Sequence, residues 1–398
     1  MEFSEETSQK LIEYLNQEDI IEVCIKLGIF SYSDSLEKML EKTKEYISGT
    51  MLGRFKGNRT IDKFLNVIKY YLKNNDFERF NNDECISNGV INYNLLLPIV
   101  SKRRDGHRVC NDILGFDGKR YIVKSAEGFK IGVSGMQYAR DGKYNPIVAS
   151  AFFRFIGQPC ANNLLACEKI PYYYILSENF LKDNERIYGL NDIKFMGKEL
   201  VIDENNNITH KQIISSIDEM IESKKISSDK ALELSKKLKL QYAVQETLKC
   251  LICSMDQNLG NTSIIVSETE NGEIKDLNIS PAYDMDLSFN LGEEMLKCLN
   301  HKEVVYRITE EEKTDLISII NEFKSIEGYE EALQEILNKL NGNYVEQIFD
   351  ITYQETGVNE FRNKDIRDRY GNFIMRRVAI FKEACKTSID KNEKTKNE

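Results

Sequence analysis

The chain has 398 residues, of which 41% are hydrophobic and 30% charged, a balance that supports a sizeable core and excludes wholesale disorder. Its net charge of −10 argues against a protein that coats nucleic acid with its whole surface. No apolar run approaches the ~20 residues that a membrane span needs, and the nine cysteines show no paired framework. No signal peptide begins the chain, so we expect a reduced, cytoplasmic, soluble protein.

The sequence pattern of residues 1–95 predicts a helical module. Hydrophobic residues recur at helical spacing close to the N-terminus, Ser33 and Asp34 form the cap of a second helix, and Ile61–Leu72 carries the apolar stripe of a third. The Asn-rich segment 74–88 has the composition of a linker. Partner binding and a purely structural cap both fit this module, and the structural cap is the more common outcome.

From Tyr93 onward the pattern changes to short strands. A polar loop, residues 101–108, contains Ser101, Gly106 and several basic side chains. Phosphate binding and a solvated turn are about equally compatible with this loop. The stretches Val109–Phe116 and Arg120–Lys124 then predict a β-hairpin around an Asp-Gly turn.

Two further elements follow in the middle of the chain. Asn145 as N-cap, Pro146 at the first helical position and Gly157 at the end predict a helix between them. An apolar strand, Tyr172–Leu176, leads into the polar segment that ends at Phe180.

The remainder of the chain is predicted to be largely helical. The predicted helices are Asn207–Ser223, a long helix from Ser227 through Met255, Thr309–Glu322, Glu330–Leu340, Tyr344–Thr356 and Asn363–Lys386. The charged tail Thr387–Glu398 is expected to be disordered. Cys250 and Cys253 form a CxxC, but no second CxxC completes a metal cage, so we interpret both as packing residues on one buried helix face.

One stretch carries a chemical signature. Asp256 and Asn261 lie on a loop after the long helix, two strand-like segments follow with a turn at Glu270-Asn271-Gly272 between them, and Asp284 comes next. Such a set is one way to build a phosphoryl-transfer site. One Asp accepts the proton of an attacking hydroxyl, while the Asn and the later Asp offer the oxygen ligands that Mg²⁺ prefers. DxxxxN alone is most often an ordinary polar turn, and the surrounding helix and hairpin make it more specific.

The string SMDQNLGNTSIIV together with ISPAYDMDLSF resembles the catalytic region of the HipA-like bacterial serine/threonine kinases. Gln257 and Asn258 stand where that family usually has a basic residue and a His. The resemblance implies an α+β, bilobal, protein-kinase-like fold with a small β-rich lobe, a larger helical lobe and an extra N-terminal helical module. The expected domains are an N-terminal module at 1–95, a small lobe at 96–180, a helical lobe at 181–390 and a charged tail at 391–398.

The resemblance also assigns roles to residues. Asp256 would orient and deprotonate a substrate hydroxyl, and Asn261 and Asp284 would hold Mg²⁺. Lys124, on a strand similar to the one that carries the family's phosphate-binding Lys, would grip the phosphates of ATP. The remaining expected contacts to ATP are the loop residues Ser101 and Gly106, and Glu178 and Phe180 in a segment similar to the hinge that meets the adenine.

One departure concerns the partner of Lys124. The family commonly has a Glu at the start of the helix that begins here at Asn145, and Pro146 stands in its place. Either another acid, such as Glu127 or Glu168, pairs with Lys124, or activity is impaired.

The resemblance implies an ATP- and Mg²⁺-dependent protein serine/threonine kinase that phosphorylates itself, with Ser101 as the nearest candidate site. Family members are often toxins held by an antitoxin, which makes an antitoxin-like regulator one expected partner beside ATP and a protein substrate. Two alternatives stay open. One is a pseudokinase scaffold, which Pro146 and the Gln257-Asn258 pair favour, and the other is a lipid or small-molecule kinase. We expect no direct contact with nucleic acid or membrane.

Overall fold

The computed structural model of the protein describes residues 5–26, 29–49, 64–65, 68, 86–93, 96–99, 112–114, 119–125, 142–169, 172–182, 184–190, 209–223, 226, 228–254, 261–269, 274–285, 288–289 and 310–396. The chain forms two compact units. The first unit consists of residues 1–127 and 163–179, and the second of residues 128–162 and 180–398.

The first unit combines helices with a seven-stranded sheet. Its elements are α1 (Glu5–Leu15), α2 (Glu18–Lys26), α3 (Leu36–Gly49), β1 (Ile86–Ser87), β2 (Val90–Asn92), β3 (Leu97–Ile99), β4 (Asp112–Leu114), β5 (Arg120–Ser125), β6 (Asn163–Lys169) and β7 (Tyr172–Glu178). The strand order is β1-β2-β6-β7-β5-β4-β3. Only the pairing of β2 with β6 is parallel among these described strands.

The N-terminal helices and the sheet share one hydrophobic core. Leu11 and Ile47 on the helices belong to the same buried cluster as Ile113, Tyr121 and Leu176 on the strands. Burial of such side chains contributes roughly 1.5–3 kcal/mol each. The predicted N-terminal helices therefore stabilise, and are stabilised by, the strands that follow them.

The start of α3 differs in detail from the prediction. The Oγ of Ser35, and not Ser33 or Asp34, accepts a hydrogen bond from the backbone N–H of Lys38 at 3.3 Å. Asp34 instead accepts the N–H of Ser31 at 2.9 Å and pairs with Lys42 at 2.7 Å. The cap is thus one residue later, and the aspartate closes the preceding turn.

The second unit is mostly helical. Its elements are α4 (Asn145–Phe155), β8 (Glu185–Gly189), α5 (His210–Ser223), α6 (Ser228–Leu251), β9 (Ser263–Glu268), β10 (Ile274–Ile279), α7 (Glu310–Phe323), α8 (Tyr329–Lys339), α9 (Tyr344–Thr356) and α10 (Lys364–Lys396). The antiparallel sheet runs β10-β9-β8, and α6 packs against β10. The predicted α+β class, with one β-rich unit and one largely helical unit, is confirmed.

Four strands and the helical C-terminal tail were not predicted. Strands β6 and β8 have no counterpart in the prediction, β1 lies within the segment expected to be a linker, and β2 lies in the module expected to be helical. The tail expected to be disordered continues α10 as far as Lys396. Ser388 is buried, so packing extends past the point where the sequence pattern weakens, and a helix that is already nucleated propagates readily.

None of the helices within the described ranges is long and apolar enough to cross a bilayer.

Candidate functional site

The predicted site residues fall in both compact units. Lys124 and Glu178 belong to the first unit, whereas Phe180, Asn261 and Asp284 belong to the second. The predicted base Asp256, together with Ser101 and Gly106, lies outside the described residues, so their roles stay predictions.

In the second unit, Asn261 and Asp284 lie at the same end of the β9–β10 hairpin. Antiparallel pairing sets Ile264 opposite Ile279, and the N–H of Ser280 donates to the carbonyl of Ser263 at 2.8 Å. Asn261 comes just before β9 and Asp284 shortly after β10. Because the start of one strand and the end of its antiparallel neighbour meet at one edge, the hairpin brings the two residues to a common end.

The segment that carries Asp284 is anchored to the strand that follows Asn261. The hydroxyl of Tyr283 lies 2.6 Å from the Oγ of Ser263. The ring of Phe180 packs beside that of Tyr283, with centroids 6.0 Å apart. Phe180 therefore contacts the residue next to the candidate metal ligand.

Backbone hydrogen bonds hold the same segment on its other side. The N–H of Ala282 donates to the carbonyl of Pro159 at 3.0 Å, and its carbonyl accepts the N–H of Ala161 at 2.8 Å. These bonds form a short parallel bridge with the turn that follows α4. The position of the Asp284 backbone is thus fixed by two separate elements.

Asp284 itself has a left-handed backbone, with φ of 58°. Few residues other than glycine adopt this conformation, and Asp and Asn do so most readily. Strained backbone held by its surroundings is common at functional sites. The half-buried carboxylate at this position combines the residue type that Mg²⁺ prefers with a conformation that the fold imposes.

A buried ion pair lies behind Asn261. Lys249 and Glu246 on α6 are 2.9 Å apart, and their side chains are only 6% and 11% exposed. The Nζ of Lys249 donates to the carbonyl of Asn261 at 3.2 Å and to the hydroxyl of Thr262. The Thr262 hydroxyl in turn donates to Glu246 at 2.8 Å. Asn261 is therefore held by the helix that precedes the loop.

Helix α6 ends at Leu251, earlier than predicted, in a Schellman motif. Cys253 is left-handed with φ of 51°, the N–H of Ser254 donates to the carbonyl of Lys249 at 2.9 Å, and that of Cys253 donates to Cys250 at 3.1 Å. Cys253 thus lies beyond the helix, and the predicted single helix face for both cysteines is wrong. The six described cysteines form no disulfide.

Arg377 on α10 caps the same helix end. The buried guanidinium donates to the carbonyl of Leu251 at 2.9 Å and to that of Cys250 at 2.7 Å. A cation at a helix C-terminus satisfies carbonyls that lack intrahelical partners and complements the helix dipole. The end of α6, shortly before Asp256 in the sequence, is fixed by a residue distant in sequence.

Phe289 also contacts the C-terminal end of α6. Its N–H donates to the carbonyl of Ile252 at 2.8 Å, and its φ of 62° is left-handed. The fully buried ring meets Tyr370 and Phe373 edge to face. The sequence interpretation did not single out Phe289, Arg377 or Lys249, because each acts through a contact that local pattern does not encode.

In the first unit, Lys124 lies on β5 between β4 and β7, as the predicted hairpin requires. It is half-buried and opposite Ile175 in the register of β5 with β7. A Lys fixed on a central strand is a point charge suited to phosphate. The predicted strand is confirmed, and the contact with phosphate stays a prediction.

Strand β7 ends at the predicted hinge. Glu178 pairs with Lys119 at 2.9 Å, and the N–H of Asn179 donates to the carbonyl of Arg120 at 2.7 Å. The boundary between the two compact units falls between Asn179 and Phe180. The N–H of Asn179 is thus engaged within the first unit, and the adenine contacts expected of Glu178 and Phe180 stay predictions.

Helix α4 has no acidic residue in its first turn, as expected from Pro146 at the position where the HipA-like family commonly has a Glu. Tyr144 is the N-cap of α4, and Asn145 is its first residue instead of its cap. The Asn145 side chain accepts a hydrogen bond from the hydroxyl of Tyr370 at 2.7 Å, which explains why it does not cap the helix. Glu127 and the side chain of Glu168 lie outside the described part of the chain.

The donor set fits Mg²⁺. Asn261 and Asp284 supply an amide oxygen and a carboxylate, and Mg²⁺ is usually held by one or two side chains with substrate phosphates and water. Among the described residues, no group of three or more His, Cys, Asp or Glu side chains could form a cage of protein ligands. These residues therefore suit a metal that arrives with a phosphate ligand.

No protein-family model and no curated protein matches the chain. Solved structures do match. The chain is similar to the Helicobacter pylori proinflammatory kinase CtkA, with 15% identity and a TM-score of 0.45, and the match covers 72% of this chain and 95% of the CtkA chain. Similarity to the Golgi casein kinase with Mn/ADP bound covers 97% of this chain and 90% of the other, with 11% identity and a TM-score of 0.39.

A third structure is a Shewanella oneidensis MR-1 HipA in complex with HipB and operator DNA. It matches 67% of each chain, with 13% identity and a TM-score of 0.28. The similar structures thus include the group that the sequence motif resembles. Similarity at this level carries no argument about activity, which rests on the site residues, and an antitoxin-like regulator for this chain stays a prediction.

Proposed function

We propose that the protein is an ATP- and Mg²⁺-dependent protein serine/threonine kinase. The observation that supports this proposal best is the shared hairpin end of Asn261 and Asp284, with Tyr283 bonded to Ser263 between them. Two oxygen ligands from consecutive loops at one edge of a small sheet match what a magnesium–triphosphate substrate requires.

In the proposed reaction each residue has one task. Asp284 and Asn261 offer oxygen ligands, and Lys124 balances charge on the α- and β-phosphates. Asp256 accepts the proton of the substrate hydroxyl while the hydroxyl oxygen attacks the γ-phosphorus of ATP. The bond between the γ-phosphorus and the oxygen that bridges it to the β-phosphate breaks, and ADP leaves. Mg²⁺ supplies charge neutralisation on the phosphates when it is bound. Positioning and electrostatics provide most of the rate, so fixed ligand backbones matter.

The test is incubation of the purified full chain with γ-labelled ATP and Mg²⁺, followed by mass spectrometry for phosphosites. Asp256→Ala, Asn261→Ala and Asp284→Asn are compared with wild type. Asp284→Asn removes charge while it keeps a residue that tolerates a left-handed backbone, so a loss of labelling reports on the carboxylate. Loss of such a group typically lowers the rate by about 10²–10³ or more.

The matched control is Asp276→Asn, the same chemical change on β10 of the same hairpin. Asp276 pairs with Lys237 at 2.9 Å, near the opposite end of the strand. Labelled Ser or Thr in wild type and in the control, but not in the site variants, supports the proposal. Nucleotide binding without transfer to protein would replace it with a scaffold or a kinase for another acceptor, and absence of nucleotide binding would reject it.

A further inference from the structure

The pair formed by Glu246 and Lys249 is unusual because it places two charges in the interior one turn apart on α6. Burial of an ion pair costs free energy unless additional hydrogen bonds satisfy both groups. Neither side chain is needed to start the helix, since α6 begins at Ser228, well before both of them. Their cost therefore has to be offset by what they hold.

Both side chains converge on two consecutive backbone positions beyond the loop. The ammonium of Lys249 has three N–H donors, and Glu246, the carbonyl of Asn261 and the hydroxyl of Thr262 supply three acceptors. The hydroxyl of Thr262 donates a hydrogen bond to Glu246 at 2.8 Å. The network links the side chains of α6 to the residue that carries the candidate metal ligand.

The two flanks of residues 255–260 are thereby anchored to the same helix. At the first flank, the Schellman motif holds Cys253 and Ser254, and Arg377 holds the carbonyls of Cys250 and Leu251. At the second flank, Lys249 fixes Asn261 and Thr262.

We propose that Lys249 is a positioning residue for the metal ligand Asn261, and that Glu246 keeps its ammonium in place. Lys249 holds the Asn261 carbonyl and so fixes the backbone of the residue whose amide oxygen would bind Mg²⁺. This inference rests on the proposed function, because the metal is the Mg²⁺ of that reaction. Lys249 does not contact substrate and has no catalytic role of its own.

The test variant is Glu246→Gln with Lys249→Met. Removal of both charges together avoids an unpaired buried charge, which would destabilise the fold for reasons unrelated to positioning. The control variant is Lys237→Met with Asp276→Asn, which removes an ion pair between the same helix and the same hairpin that makes no contact with Asn261.

Two measurements test whether Lys249 positions Asn261. Amide hydrogen exchange at Asn261 and Thr262 should become about tenfold faster in the test variant than in wild type or control, since the bonds from Lys249 to the Asn261 carbonyl and the Thr262 hydroxyl no longer oppose local opening of this backbone. The Mg²⁺ concentration for half-maximal labelling should rise about tenfold, with ATP binding in Mg²⁺-free buffer unchanged. A general loss of structure would alter both ATP binding and exchange throughout β9.

Unchanged exchange at Asn261 in a folded test variant overturns the inference, and so does faster exchange with an unchanged Mg²⁺ requirement. If the double variant does not fold, Thr262→Val replaces it, with Thr262→Ser as the control that keeps the hydroxyl. Absence of ATP binding by wild type rejects the proposed function instead, and hydrogen exchange still decides whether Lys249 fixes Asn261.

Discussion

The hydroxyl of Tyr283 lies 2.6 Å from the Oγ of Ser263, and this bond joins the segment that leads to Asp284 with the strand that follows Asn261. Ser263 is buried and Tyr283 half-buried. This side-chain bond adds to the backbone bond from the N–H of Ser280 to the carbonyl of Ser263, which joins the same two segments. It therefore strengthens the coupling between the positions of the two candidate ligands.

Removal of either partner of this bond should destabilise the protein. Ser263→Ala leaves the tyrosine hydroxyl without this partner, and a loss of about 1–2 kcal/mol in the free energy of unfolding is expected. Tyr283→Phe should cost about 1 kcal/mol and keep the packing against Phe180. A double-mutant cycle in urea should give a coupling energy of about 1 kcal/mol. A coupling energy near zero would show that the two segments are held independently.

Cys253 should accept glycine with a gain in stability. Its φ of 51° is left-handed, and the position is the C′ residue of a Schellman motif, where glycine is preferred. Cys253→Gly should raise the free energy of unfolding by about 0.5 kcal/mol, whereas the β-branched Cys253→Val should lower it by more than ~1 kcal/mol.

Cys250→Gly is the matched control for that substitution. Cys250 lies inside the last turn of α6, so glycine there should destabilise, by about 0.5–1 kcal/mol. Denaturant unfolding monitored by circular dichroism checks both variants. Destabilisation by Cys253→Gly as large as that by Cys250→Gly would contradict the assigned cap.

Arg377 should be essential to the second unit. Arg377→Met removes two hydrogen bonds to the carbonyls of Cys250 and Leu251 and leaves those acceptors buried, at a cost of about 2–4 kcal/mol. Arg377→Lys keeps a charged donor but lacks the planar fork of the guanidinium, and it should recover part of that loss. Lys386→Met, an exposed position on the same helix, is the control and should change stability by less than ~0.5 kcal/mol. An equal effect of both Met variants would exclude the capping role.

The hairpin that brings Asn261 and Asp284 together was predictable, because two apolar strands with a turn between them have a local signature. The residue types at its end followed from metal-ligand chemistry. Lys124 on β5 followed from the same kind of local alternation. These parts of the site depend on neighbours in sequence.

The supports of the site were not predictable in the same way. Arg377 reaches α6 from a helix 126 residues later, and β8 gains its strand character by pairing with β9. The end of α6 depends on Cys253 in a conformation that sequence rules assign to glycine. Each of these features depends on tertiary contacts, so it cannot be predicted from the conformational propensities of the local sequence.

Cys160 should react slowly with alkylating reagents. Burial raises the pKa of its thiol to about 11, although a hydrogen bond to Ser150 opposes the shift. Since the thiolate is the reactive species, native protein at pH 8 should label Cys160 at least about tenfold more slowly than urea-unfolded protein. Iodoacetamide labelling followed by peptide mass spectrometry measures both rates. Equal rates would mean that the thiol is accessible and unperturbed.

Asp34 should make the stability of the first unit depend on pH in acid. Hydrogen bonds from Lys42 and from the Ser31 N–H hold the pKa of its carboxyl well below the usual range. Because the folded pKa is depressed, the stabilisation is present above the ordinary Asp pKa of about 4 and is lost as the pH falls below it. Urea unfolding of Asp34→Asn and wild type should therefore differ most at pH 7, and the difference should shrink from about pH 4 downward. Glu37→Gln, an exposed carboxyl on α3, should show little difference at either pH. A difference between Asp34→Asn and wild type that stays constant from pH 7 to pH 3 would show that the ion pairs of Asp34 do not stabilise this unit.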